Sequence, residues 1–156
     1  MKYSYLFVVF IVVGIVLWYL NSSSSIPPLG ASLSGTTVTV FKTQTCGCCG
    51  NYVSYLRRQG VNVKVQDLQD ISKIKQKYGV PSELQSCHTT IIGEYVVEGH
   101  MPMEAVQKLL TEKPDIKGIT LPGMPSASPG MPGSKTAPFE VYAIQKDGST
   151  NVFMEI

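Results

Sequence analysis

The chain is 156 residues long with a formal net charge of +2, enough for one domain plus appendages and too evenly charged to offer nucleic acid a basic patch. Fourteen glycines and ten prolines, mostly outside the periodic stretches, predict long loops. Three of the four cysteines fall within four positions, Cys46 to Cys49, which argues against their use as small apolar side chains.

After Lys2, Tyr3 to Leu20 run eighteen positions without a charge and end on Trp18-Tyr19. As a helix rising about 1.5 Å per residue, the run reaches about 27 Å, close to the thickness of a hydrocarbon core. Residues 1–20 are therefore read as a membrane anchor or signal segment. Ser23 and Ser25 would suit a cleavage site, but the apolar run is long for a signal peptide and favours an uncleaved anchor. Lys2 is the only nearby positive charge and should stay inside, so the remainder is expected on the extracytoplasmic side, secreted or periplasmic if residues 1–25 are removed. Residues 21–35, rich in Ser, Pro and Gly, read as a flexible linker.

The folded domain is expected over residues 36–156. Thr36 to Phe41 is short and β-branched, a strand. The cysteine turn leads into a helix with Tyr52, Val53, Tyr55 and Leu56 facing inward and Gly60 closing it. Val61, Val63 and Val65 alternate as a second strand. Ile71, Ile74 and Tyr78 predict a helix ended by Gly79 and Pro81. Thr89 to Ile92, the turn Gly93-Glu94, and Tyr95 to Glu98 form a hairpin. Met103 to Leu110 is a helix stopped by Pro114. Leu121 to Pro138 has no periodicity, and Phe139 to Ile156 forms a second hairpin around Lys146 to Ser149. This order predicts a thioredoxin-like α/β fold: a mixed sheet flanked by helices, with the first hairpin as its antiparallel edge and a C-terminal β-hairpin added.

In that layout Cys46-Gly47-Cys48-Cys49 sits at a helix N-terminus, where unpaired N–H groups and the macrodipole favour thiolate. The loop before the third strand faces this motif, so Cys87 and His88 are expected within reach of Cys46, Cys48 and Cys49. Thioredoxins carry a proline beside that strand; here Cys87-His88 stands in its place. His100, after the first hairpin, is expected at the same end of the sheet. Thiolate with imidazole suits copper(I) best, then zinc. Cys48 and Cys49 are neighbours in a helical turn and diverge by about 100°, which makes a single tetrahedral ion awkward and several bridged Cu(I) ions easier. A structural zinc site normally presents two Cys-x-x-Cys knuckles, and only one is present. Met154 reads as strand packing and Met103 as a helix staple. Met101, Met124 and Met131 lie in Pro- and Gly-rich loops, where thioethers beside histidines can assist copper.

The motifs Cys46-Gly47-Cys48-Cys49-Gly50, Tyr78-Gly79-Val80-Pro81, Ser86-Cys87-His88-Thr89, Glu98-Gly99-His100-Met101-Pro102 and Pro122-Gly123-Met124-Pro125 … Ser128-Pro129-Gly130-Met131 resemble the copper-resistance CopG family of thioredoxin-like metal-binding proteins. The ribbon-helix-helix repressor of the same name is unrelated. The resemblance spans Thr37 to Phe153. It implies an exported domain that binds copper through its cysteine cluster in copper tolerance, and leaves open whether it also interconverts Cu(I) and Cu(II) as a copper oxidoreductase. Cys46, Cys48, Cys49 and Cys87 carry over as ligand positions, His88 and His100 match, and Met124 and Met131 match the family motif. Asn51-Tyr52 departs from it, since many relatives have a basic residue and a tryptophan there, a change in packing.

Two other readings stand beside copper binding. One is a membrane-anchored thiol–disulfide oxidoreductase using Cys46 and Cys49, with Cys87 as a resolving thiol. The other is a scaffold for a copper-transport or chaperone protein, docking through the Met124 to Met131 loop.

Overall fold

The computed structural model describes Val12, Val13, Leu33 and residues 37–156. Apart from Val12 and Val13, the expected membrane segment lies outside the described residues, as does nearly all of the expected linker. Leu33 is the exception: it is 1% exposed and belongs to the main core, so the folded unit takes in a residue of the expected linker. Among the described residues no helix is long and apolar enough to cross a membrane.

Strand β1 (Thr37–Thr43) points Val38 and Val40 into the core and runs through a short turn into helix α1 (Gly47–Arg58). Cys49, Tyr52, Val53 and Leu56, spaced i, i+3, i+4, i+7, make the buried face of α1. The helix closes on Gly60 at φ +82°, with Gly60 N–H on Arg57 O and Val61 N–H on Leu56 O, so a left-handed residue satisfies the last carbonyls. Strand β2 (Asn62–Leu68), helix α2 (Ser72–Lys77), strands β3 (His88–Ile92) and β4 (Tyr95–Glu98) and helix α3 (Met103–Glu112) follow. Strands β5 (Gly118–Thr120), β6 (Glu140–Ile144) and β7 (Thr150–Glu155) complete one seven-stranded sheet ordered β2-β1-β3-β4-β5-β6-β7. β1 is parallel to β2 and β4 to β5, and the remaining pairs are antiparallel.

Alternate residues along a strand feed opposite faces. Val97 joins Val38, Val40, Tyr52, Leu56, Val106 and Leu109 in the large core under α1 and α3. Val96 joins Val80 and Ile144, with Tyr78 and Ile91, in a smaller cluster on the other face. A mixed sheet with helices on both faces fits the thioredoxin-like fold expected.

Three readings need correction. The first hairpin is not an edge: β3 pairs with β1 and β4 pairs with β5, so it lies in the middle of the sheet. The strand that covers it, β5, was not expected, because it has only three residues and begins on glycine. That glycine is required, since a Cβ at Gly118 would stand 1.8 Å from the Val96 carbonyl oxygen. The C-terminal hairpin is therefore a continuation of the sheet through β5. On α2, the most buried side chain is Lys75 rather than Ile74, which is only half-buried.

The pairing register decides where chemistry can occur. Lys42, near the end of β1, faces His88, the first residue of β3, and Thr89 faces Glu98 at the end of β4. The cysteine turn, the Ser86-Cys87-His88 segment and the Gly99-His100 segment therefore meet at one end of the sheet.

Candidate metal centre

Cys46 is the residue before the first turn of α1, and Cys48 and Cys49 lie within that turn. Cys46 and Cys49 are joined as a disulfide; Cys48 and Cys87 are free. Cys48 Sγ lies 3.5 Å from Cys46 Sγ and 3.9 Å from Cys87 Sγ. All four sulfurs lie within 4.8 Å of one another. The divergence expected of Cys48 and Cys49 is thus small at the sulfur atoms, and geometry alone does not disfavour a single ion.

A second donor group, Cys87, His88 and His100, also brings its ligand atoms within 4.8 Å of one another. Cys87 Sγ is 3.3 Å from His88 Nδ1 and 3.0 Å from His100 Nε2. Cys87 belongs to both groups and joins them. The expected approach of Cys87 to the motif is present, and His88 and His100 meet the motif through Cys87.

The imidazoles are held from outside. His100 Nδ1 is 2.7 Å from the Pro129 carbonyl oxygen. That acceptor takes the Nδ1–H, leaving the Nε2 lone pair towards Cys87, the usual way a backbone carbonyl aims a ligating histidine. Tyr52 packs its ring 4.5 Å from the His88 ring and 5.6 Å from the His100 ring, and its hydroxyl donates to Met101 O at 3.2 Å. The departure at Tyr52 noted in the sequence therefore falls on the side chain that packs against both imidazoles. His88 turns Nδ1 to the Cys87 sulfur, while its Nε2 is buried with no hydrogen-bond partner among the described residues.

Burial, with His100 and Lys75 nearby, holds His88 well below the usual imidazole range. Burial also lowers His100, against the pull of the Pro129 carbonyl. Both rings are neutral near pH 7, the form that ligates metal. Burial, with Cys48 beside it, pushes the Cys87 thiol up to about 12. In the metal-free chain Cys87 therefore carries a proton that it can donate to His100 Nε2, and a metal would have to displace it.

The segment from Leu121 to Pro138 is seated rather than loose. Asn51 Nδ2 donates to Gly130 O at 3.3 Å, and Met131 N–H donates to Ser128 O at 2.8 Å. A Cβ at Gly130 would stand 2.7 Å from Tyr52 N, so this loop touches the α1 backbone. Sequence reasoning missed the Pro129 carbonyl as a partner of His100, and no local pattern announces it. Met124 is 53% exposed on a turn whose Gly123 carbonyl accepts from Ser86 Oγ. Met131 lines a shallow surface depression with Asn51, Ser54 and Arg58 on the outer side of α1. Met101 and Met103 are buried in the core.

The chemistry is that of a soft metal site: four sulfurs and two neutral imidazoles at one end of a sheet. Two of those sulfurs, Cys46 and Cys49, are joined to each other, so they are open to a metal only once the disulfide is reduced.

A family model described as "Protein of unknown function, DUF411" matches residues 84–131, which covers Cys87, His88, His100, Met124 and Met131 but stops short of α1. No curated protein matches. A solved structure described as "Copper resistance protein copG- Form 2" is 34% identical, with 78% of this chain and 98% of that chain covered and a TM-score of 0.72. Form 1 of the same protein is 35% identical over 77% of this chain and 96% of that one, with a TM-score of 0.71. Identity at that level over nearly the whole of the solved protein, on the same fold and including the sheet end where the donors meet, shows that this chain belongs to the CopG copper-resistance family.

Proposed function

We propose that this protein binds copper as Cu(I), several ions to a chain, in copper tolerance or homeostasis. The sharing of Cys87 between the four-thiol group and the two-imidazole group carries the reading. Thiolates that bridge ions let one residue serve both groups, and soft sulfur with neutral imidazole favours Cu(I) over zinc. Cys46, Cys48, Cys49 and Cys87 would hold the metal after reduction of the disulfide, with His88 and His100 completing the set. Met124 and Met131 are assigned as accessory thioethers on the loop that reaches the site. Interconversion of Cu(I) and Cu(II) is part of the proposal: closing the Cys46–Cys49 disulfide from two thiolates releases two electrons, which reduce two Cu(II) ions to Cu(I), and the reverse step takes them back. The apolar residues 3–20 assign the protein to a membrane anchor with its domain on the extracytoplasmic side.

The test is an anaerobic copper titration of the reduced full chain, with metal quantified after desalting. Retention of several copper ions per chain is expected. Retention of none, with only a reversible Cys46–Cys49 disulfide, would overturn the reading.

A second reading rests on that disulfide: a membrane-anchored thiol–disulfide oxidoreductase with Cys87 as resolving thiol. Cys48→Ser separates the two. It should leave disulfide-reductase activity nearly intact if the chain is an oxidoreductase, and should collapse the copper stoichiometry if it is a copper protein.

A further inference from the structure

Lys75 and Glu98 form an ion pair that the proposed copper chemistry does not use. Lys75 is 5% exposed and Glu98 is 0% exposed. Besides Lys75 Nζ, Glu98 Oε1 accepts Ser86 N–H at 2.8 Å, and Glu98 Oε2 accepts Thr89 Oγ1–H at 2.6 Å. Lys75 Nζ also donates to Thr89 Oγ1 at 3.3 Å. Ser86 and Thr89 are the residues on either side of Cys87-His88.

We propose that the buried Lys75–Glu98 pair is the positioning element of the Cys87–His88 arm, gripping the chain on both sides of the two donors so that they face the cysteine turn. The proposal deepens the copper reading and rests on it for the metal site itself. Its first support is placement. Thr89 points to the face opposite His88, so the pair touches neither donor and acts through the backbone between its two anchor points. Thr89 and Glu98 are direct cross-strand partners, and Gly99 N–H donates to His88 O at 3.0 Å, so the end of β4 holds the start of β3 by both side chain and backbone. The fit is close as well: a Cβ at Gly99 would stand 2.8 Å from Ser86 Cβ and 2.5 Å from Leu121 O.

The second support is energetic. A buried ion pair is a poor way to stabilise a fold, because desolvation offsets its attraction and an apolar pair of similar volume is often as stable. Stability alone therefore does not explain its presence. An acceptor that meets a backbone N–H on one side of the donors and a hydroxyl on the other does something an apolar pair cannot.

The test uses the full chain with the double substitution Lys75→Met/Glu98→Leu and, separately, Thr89→Val, which leaves the ion pair but removes one grip. The readouts are thermal unfolding of the metal-free chain, Cu(I) affinity against a chromophoric chelator, and peptide-resolved alkylation of Cys87 by iodoacetamide without metal. The double variant should fold but melt somewhat below the wild-type temperature, since Ser86 N–H and Thr89 Oγ1–H lose their acceptor, bind Cu(I) about 10–100-fold more weakly, as loss of an outer partner of a ligand typically does, and alkylate Cys87 several-fold faster. Thr89→Val should move both site readouts the same way by less. Wild-type affinity and wild-type Cys87 reactivity in a folded double variant would overturn the proposal. If the double variant fails to fold, unchanged values in Thr89→Val would overturn it. If the wild-type chain binds no copper, the copper reading falls, while Cys87 alkylation in the metal-free chain still decides whether the pair positions this arm.

Discussion

The two halves of the site are built in opposite ways. Cys46, Cys48 and Cys49 come from one helix start, and Cys46 and Cys48 are partly open to solvent. Cys87, His88 and His100 come from two segments, with both histidines fully buried. They are held by groups from elsewhere: the Pro129 carbonyl, the Tyr52 ring, and the carboxylate of Glu98 acting through Ser86 and Thr89. The first half is a local motif whose three thiols are gathered by a single helix start. The second exists only when the sheet is in register.

The largest expected effect comes from cutting the two halves apart. Cys87→Ser removes the one donor common to both groups. Copper retained after desalting should fall from several ions per chain to a single ion or none, read by elemental analysis. Unchanged retention would mean that the halves are independent sites.

Gly130→Ala should disturb the imidazole half and spare the thiol half. Its Cβ would meet Tyr52 N at 2.7 Å, and φ +88° is a conformation that costs a non-glycine residue about 1–3 kcal/mol. The loop would shift and release His100 Nδ1 from Pro129. Copper affinity should drop about tenfold, the low end for an outer partner of a ligand, while the Cys46–Cys49 disulfide forms and reduces as before. A change in the disulfide but not in affinity would reverse the assignment.

The pH dependence sharpens the comparison. The proposed ligation by Cys87 needs its thiolate, and burial with Cys48 beside it pushes that thiol up to about 12. Below that value, binding displaces its proton, so affinity should rise with pH. The slope is about tenfold per unit for each proton released, through the neutral range. In Cys87→Ser one proton's worth of that slope should disappear. A competition titration at pH 6, 7 and 8 measures it, and an unchanged slope would remove Cys87 from the ligand set.

Met124→Leu should have the smallest effect. The side chain is 53% exposed, so stability should change by no more than about 0.5 kcal/mol. Copper affinity should weaken a few-fold with the ion count unchanged, as fits an accessory thioether. Loss of a whole ion would make Met124 a principal ligand.

Much of the fold was legible because its signals are local. The inward side of α1 at Tyr52, Val53 and Leu56, the β-branched run of β1 and the Gly93-Glu94 turn each need only neighbours in the chain, whereas Tyr55, also expected inward, is only half-buried and Cys49 takes the fourth buried place. The meeting of Cys87, His88 and His100 with the cysteine turn followed from element order alone, since order fixes which strand ends share an edge of the sheet. Strand β5 was not legible, because a three-residue strand with a required glycine resembles a loop until Val96 is known to lie against it.

The sequence by itself determined the chemistry available to this protein: four thiols, two histidines, and a helix start that presents three of the thiols together. Only the tertiary structure decided which of those groups touch and what holds them. The burial of Lys75 has no local signal because its partner, Glu98, is 23 positions away, and a buried charge is tolerable only where that partner is. Pro129 lies in a stretch without periodicity, and its role appears only where its carbonyl meets His100. Hydrogen bonds and ion pairs between distant residues depend on register and on loop path. These are set by the packing of the whole sheet and leave no periodic trace in the chain.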